Sequence, residues 1–214
     1  MWAVVMAVVV MFVAAASAHA AGGGIGVGHG GSVNGGKDDS GVSADGCATD
    51  PDLGARELAQ GDCGADVETL NQILNSTGFG LAAPVGDEFD SATTDAVKSL
   101  QEVAELPRTG IVDADTQAAL VVSMRPDTAS LYGPGLYGNE TACGERLTRT
   151  LVGVAHRSLP CGTKVTIKYR GHYLNTEVVD RGPFTKGVKW DLTSAAAQQL
   201  GLGVTSRVRS AIVR

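Results

Sequence analysis

The sequence predicts an α+β chain in two parts, a small three-helix module followed by a small β-barrel that carries one short helix. Three observations predict this. Apolar residues recur at helical spacing through the first half, an internal repeat of period 23 organises that half, and after Pro126 the pattern switches to the alternation of half-buried strands.

The chain has 214 residues, of which 43% are hydrophobic, enough to supply real cores and to exclude disorder throughout. Residues 1–20 read as a secretion signal. The run from Met1 to Ala18 is apolar, and Ala18-His19-Ala20 offers a small-x-small site for cleavage after Ala20. A membrane anchor is the alternative. Against it stand an apolar run of about 17 residues, short for a span, and the lack of any basic residue before Lys37. Residues 21–46 hold eleven glycines among Ser, Asp and Asn, a composition that cannot offset its own ordering entropy, and are expected to form a flexible linker.

Residues 47–124 are expected to form the helical module. Val67, Leu70, Ile73 and Leu74 follow Asp66, a candidate cap, and Ala96, Val97, Leu100 and Val103 follow Asp90 in the same way. The stretch from Phe89 to Val97 matches the stretch from Val112 to Leu120, so each copy reads as a turn, an Asp cap and a helix, with Gly86 and Gly110 relaxing the preceding turns. Residues 125–128, around Pro126, are expected to be a short linker. Beyond it, Lys164 to Tyr169 and Tyr173 to Val179 read as strands joined by a turn at Arg170-Gly171-His172, and Thr193 to Leu200 reads as a helix ended by Gly201.

Cys47, Cys63, Cys143 and Cys161 fall two on each side of the midpoint. Three pairings are open. Two local bridges, Cys47 with Cys63 and Cys143 with Cys161, suit that spacing in an oxidising compartment. The net charge of -6 hides a split: residues 21–127 hold 5 basic and 18 acidic residues, and residues 128–214 hold 12 basic and 5 acidic. Anionic wall polymers are the expected polyanion for the basic half of an exported chain, rather than nucleic acid. A solvated basic face with no partner is the alternative.

Several chemistries are excluded. His19, His29, His156 and His172 make no paired zinc-binding spacing, the cysteines make no C-x-x-C, and no G-x-S-x-G elbow occurs. No metal and no cofactor is expected. Carboxylates remain. Asp180-Arg181-Gly182-Pro183-Phe184 follows a strand where the chain must turn, presenting Asp180 at the barrel rim. Glu145 and His156 lie upstream. Glycosidic cleavage needs an acid for the leaving oxygen and a group that stabilises an oxocarbenium-like state, so paired carboxylates are its expected equipment. From spacing alone the structural readings prevail: Asp180 as a turn or Arg-paired residue, Glu145 as a surface residue and His156 as a core or hydrogen-bonding residue.

Two resemblances bear on these residues. Asp66-Val67-x-x-Leu70, Gly86, Phe89-Asp90-x-x-Thr93, Ala96-Val97-x-x-Leu100-Gln101 and Gly110-Ile111-Val112-Asp113-x-x-Thr116 together resemble the peptidoglycan-binding domain type 1 family. Residues 129–214 resemble the rare lipoprotein A family in five ordered blocks: Ala129-Ser130-Leu131-Tyr132-Gly133; Thr141-Ala142-x-Gly144-Glu145; Ala155-His156-x-x-Leu159-Pro160-x-Gly162-Thr163; Asp180 to Phe184; and Asp191-Leu192-Thr193-x-Ala195-Ala196. The second resemblance implies a six-stranded double-psi β-barrel. It also implies lytic transglycosylase activity, a lyase reaction that leaves 1,6-anhydro-muramic ends, with Asp180, Glu145 and His156 as catalytic residues.

Under that reading Asp180, raised in pKa by shielding, protonates the glycosidic oxygen and then takes the proton of the muramic C6 hydroxyl. Tyr132, Arg181 and Trp190 are the expected substrate-binding residues, with barrel packing the alternative for Trp190. Leu131 stands where the family has an aromatic, and a Cys143–Cys161 bridge would restrain Glu145 and His156. The chain is expected to be a secreted or wall-associated monomer that binds peptidoglycan strands and has no membrane anchor after signal cleavage. The alternatives are a non-catalytic, expansin-like wall-loosening protein and a secreted polyanion-binding protein. The opposite charges of the two halves also make an autoinhibitory docking conceivable.

Overall fold

In the computed structural model, residues 43, 46–82 and 84–213 are described. The predicted signal, residues 1–20, and nearly all of the Gly-rich linker lie outside them. No helix among the described residues is long and apolar enough to cross a membrane.

The first half forms α1 (Ala65–Thr77), α2 (Ser91–Val103) and α3 (Ala114–Ser123). The two repeat copies are built alike. Asp90 accepts the Thr93 N–H and Asp113 the Thr116 N–H, both at 2.8 Å, which satisfies one orphan donor at each helix start. Thr93 and Thr116 are themselves buried, bonded to Asn71 and Gln101. The expected Asp66 cap is corrected: Gly64 is the N-cap, without a side-chain bond. Asp66 sits inside the first turn, where the Arg56 guanidinium grips both its oxygens at 2.8 and 3.1 Å. The Cys47–Cys63 disulfide staples the segment that precedes α1.

The second half is a closed barrel of β1 (Arg125–Tyr132), β2 (Val154–Ala155), β3 (Lys164–Tyr169), β4 (His172–Asp180), β5 (Trp190–Thr193) and β6 (Ser206–Ile212), with α4 (Ser194–Leu200) after β5. The strand order around the barrel is β1-β5-β2-β4-β3-β6, with β1–β5 and β2–β4 parallel and the rest antiparallel. This is the expected six-stranded double-psi architecture. Arg170 and Gly171, both at positive φ, close a two-residue hairpin between β3 and β4. Thr193 caps α4 and Gly201 ends it in the left-handed region.

The linker expected at residues 125–128 does not exist as such, because those residues open β1 and pair with β6 from Arg125 onward. Pro126 is tolerated there at the start of a strand, where a missing N–H costs least. The helical module and the barrel are consequently one compact unit. They share a hydrophobic cluster in which Leu70, Leu74 and Met124 meet Tyr173 and Ala211. They also share a polar seam: the Thr166 hydroxyl lies between Gln72 Oε1 at 2.8 Å and Asn175 Oδ1 at 2.9 Å, and Asn175 Nδ2 donates to Thr69 Oγ1 at 2.8 Å. Arg209 donates to the carbonyls of Val122 and Met124 at the end of α3.

A buried acceptor left without its donor costs about 1–3 kcal/mol. Thr166→Val, which keeps the shape and removes the hydroxyl, is therefore expected to lower unfolding free energy by about that amount. Chemical denaturation should still show one transition, with helical and barrel signals coincident.

Candidate active site

The site forms where β4, β2, β5 and β1 lie side by side. Ala155 on the two-residue strand β2 pairs with Asp180 of β4 on one side and Asp191 of β5 on the other. Adjacent strands are about 4.8 Å apart, so the two aspartates stand on backbones about 10 Å apart, with one small residue between them. Both line a cleft of about 350 Å³ together with Tyr132, Thr141, Arg181 and Phe184. The cleft is lined wholly by residues between 132 and 191, and α1 packs against β3 and β6 instead. The helical module thus leaves the cleft open, contrary to the autoinhibitory docking that the charge split suggested.

Asp180 ends β4 and is held from three directions. Its Oδ1 accepts the N–H groups of Ala142 and Arg181, each at 2.8 Å, and its carbonyl accepts the His156 N–H at 3.1 Å. Asp191 differs. It is half-buried, and Ser130 Oγ donates to its Oδ1 at 2.7 Å. Burial raises its pKa above the ordinary value of 3.8, the Ser130 bond opposes the shift, and the Asp180 charge adds to it. The sequence reading expected a raised carboxyl in this cleft and placed it at Asp180; Asp191 is a carboxyl with that property.

Tyr132 lines the same cleft, in the field of both carboxyls. Its hydroxyl is buried, close to Asp180 but without a hydrogen bond of standard geometry. Burial and then the charges of Asp180, Asp191 and Glu145 push its pKa far up, so the phenol keeps its proton and can only donate to those carboxylates.

The other expected residues are placed less centrally. Glu145 lies on the turn after Cys143, tied by its backbone to Thr141, and is outside the cleft lining. His156 is outside it too. The Nδ1 atom of His156 accepts the N–H groups of Ser158 and Leu159, which leaves the neutral-form proton on Nε2, and burial lowers its pKa, with help from Lys189 and Arg181. Its ring packs on Trp190 at a centroid distance of 4.8 Å. Trp190 is 0% exposed, so the expected sugar-stacking face is corrected: this indole is barrel core.

Arg181 does line the cleft, and its guanidinium also lies 3.3 Å from Cys161 Sγ. The Cys143–Cys161 disulfide, Cα atoms 5.7 Å apart, anchors the loop whose Ala142 N–H holds Asp180. Cys143→Ser with Cys161→Ser is expected to cost about 2–4 kcal/mol of stability, read by thermal unfolding, and to lower turnover by freeing that loop.

Asp191, Ser130, Phe184 and the Ala142 N–H were not picked out as site groups from sequence. A signal for Asp191 was present: it is the polar residue between Trp190 and Leu192, both fully buried, on a strand whose alternation turns it away from the core.

Comparison with known proteins falls on the same two parts. Residues 63–120 match the family model "Putative peptidoglycan binding domain", and residues 128–211 match the model "Lytic transglycolase". A relative from Synechocystis sp., "Probable endolytic peptidoglycan transglycosylase RlpA", is 38% identical over 108 residues, covering 50% of this chain and 33% of its own length. A relative from Campylobacter jejuni, "Endolytic peptidoglycan transglycosylase RlpA", is 38% identical over 76 residues, covering 35% of this chain and 28% of its own. The chain spans about a third of the length of the curated relatives it matches. Among solved structures, an expansin from Clavibacter michiganensis aligns with a TM-score of 0.35 and 22% identity, over 42% of this chain and 50% of its own.

Proposed function

We propose that this chain, a peptidoglycan-binding helical module joined to a lytic-transglycolase barrel of the rare lipoprotein A type, is a wall-located lytic transglycosylase that cleaves between N-acetylmuramic acid and N-acetylglucosamine. The observation that carries the reading is the placing of Asp180 and Asp191 on either side of Ala155 in one open cleft.

The two carboxyls divide the work according to their surroundings. Asp191, which burial helps to keep protonated, gives its proton to the glycosidic oxygen as the bond from the muramic C1 breaks. Asp180, with Oδ1 fixed by two backbone N–H groups, faces the positive charge growing at C1 and takes the proton of the C6 hydroxyl as that oxygen attacks C1. One proton leaves an acid and one arrives at a base, so the products are a free hydroxyl and a 1,6-anhydro ring, and no water is consumed. The proton returns from Asp180 to Asp191 through solvent in the open cleft, while the Tyr132 phenol, held protonated, faces the carboxylates as a donor.

His156 acts through the backbone, by holding the Asp180 carbonyl, and Glu145 contributes charge from the rim. The helical module brings the barrel to the wall as part of the same body, and the basic half suits anionic wall polymers. The test is digestion of purified sacculi followed by mass spectrometry of the soluble fragments. The reading expects 1,6-anhydro ends; retention on sacculi without such fragments would reduce the chain to a glycan-binding protein.

A further inference from the structure

Phe184 presents an unusual combination. It is 83% exposed, yet the loop that carries it is pinned in place. The guanidinium of Arg157 donates from Nε to the Pro183 carbonyl and from Nη2 to the carbonyls of Thr185, at 2.6 Å, and Val188, at 3.1 Å. An exposed aromatic on a loose loop would mean little. Here the carbonyls on both sides of the phenylalanine are gathered on one rigid, planar donor, which fixes the backbone that presents the exposed ring.

The ring also has a defined place. A Cβ added at Gly182 would lie 3.9 Å from Phe184 Cε2 and 3.9 Å from the Ala155 methyl, so the ring edge and the residue that pairs with both Asp180 and Asp191 flank Gly182 on the lining of one cleft. Leu136, 46% exposed, lines the same cleft. The cleft is therefore amphipathic in the way a pyranose is, with apolar carbon walls at the mouth and carboxylates and backbone donors within. A sugar ring offers an apolar C–H face to an aromatic plane and its hydroxyls to the polar groups around it.

We propose that Phe184, with Leu136, is the stacking platform for a pyranose ring beside the scissile bond, and that Arg157 is the positioning residue that holds the platform. The platform takes the place expected of Trp190, which is buried. This rests on the reading of the cleft as a glycan site, and it adds which side chain grips the sugar.

The test uses the full chain and peptide-free glycan strands as the probe. Removing a contact made equally in the ground and transition states raises KM and leaves kcat alone, so Phe184→Ala is expected to raise KM about tenfold with kcat changed less than about threefold. Phe184→Trp should restore KM, and Arg157→Gln should raise it. A second measurement does not need turnover. In an Asp180→Asn background, the indole introduced by Phe184→Trp should shift its emission to the blue, saturably, with glycan strands and not with free stem peptides. If wild-type protein cleaves sacculi but Phe184→Ala leaves KM unchanged and the indole does not respond, the platform is wrong. If nothing is cleaved and the indole still responds to glycan, the platform stands and transglycosylase activity does not.

Discussion

Asp180→Asn is expected to abolish the release of 1,6-anhydro-muropeptides from sacculi while leaving the fold and sacculus binding intact. The substitution is clean because the atom that anchors Asp180 survives it. Oδ1 accepts the Ala142 and Arg181 N–H groups, and an amide oxygen accepts them equally well. On the proposed mechanism, what is lost is the negative charge facing C1 and the base for the C6 hydroxyl. Positioned acid–base groups contribute about 100-fold to 10,000-fold, and loss of charge stabilisation at the same atom adds to that. The measurement is mass spectrometry of soluble fragments, with thermal unfolding as the control for folding. Full activity in the variant would remove Asp180 from the mechanism.

Asp191→Asn is expected to separate activity from stability. The folded pKa of Asp191 lies above the unfolded value, so the folded chain binds this proton more tightly than the unfolded chain does. Stability contributed by the group is then lost as pH rises from the ordinary aspartate range through the raised pKa, and above it the partly buried charge is a standing cost. Asparagine carries no charge and its oxygen can still accept from Ser130 Oγ. At neutral pH the variant should therefore melt no lower than the parent while losing on the order of 100-fold or more in turnover. In the parent, activity should fall as pH rises through the raised Asp191 pKa, and the remaining activity of Asp191→Asn should lack that limb. A variant that unfolds more easily at neutral pH, with unchanged activity, would contradict both halves of the argument.

Much of this molecule is legible in its sequence where local rules and tertiary structure agree. Asp90 and Asp113 begin helices because each is followed three residues later by a threonine N–H that needs an acceptor, and the repeat displays that need twice. The β3–β4 hairpin is visible because Arg170-Gly171 is a turn flanked by alternating strands. Asp66 misled because an acidic residue ahead of an apolar run looks like a cap, and only the fold brings Arg56 to it.

The module–barrel seam was not legible. Gln72, Thr166 and the half-buried Asn175 are polar residues in unremarkable positions, and their pairing depends on two halves of the chain meeting. The site divides in the same way. Asp180 announces itself by the sharp Gly-Pro turn after it. Asp191 and the Ala142 N–H come into play through strand pairing and a disulfide-anchored loop, both of which are long-range. Trp190 was expected as a sugar platform, but strand alternation turns its indole into the barrel core and Asp191 to the opposite side.

The most direct test of the central claim, cleavage by internal attack without water, is digestion of sacculi by the full chain in water enriched in oxygen-18. The account predicts soluble fragments that end in 1,6-anhydro-muramic acid and carry no label at the new ends. Reducing ends that carry the heavy oxygen would make the chain a hydrolase and contradict it.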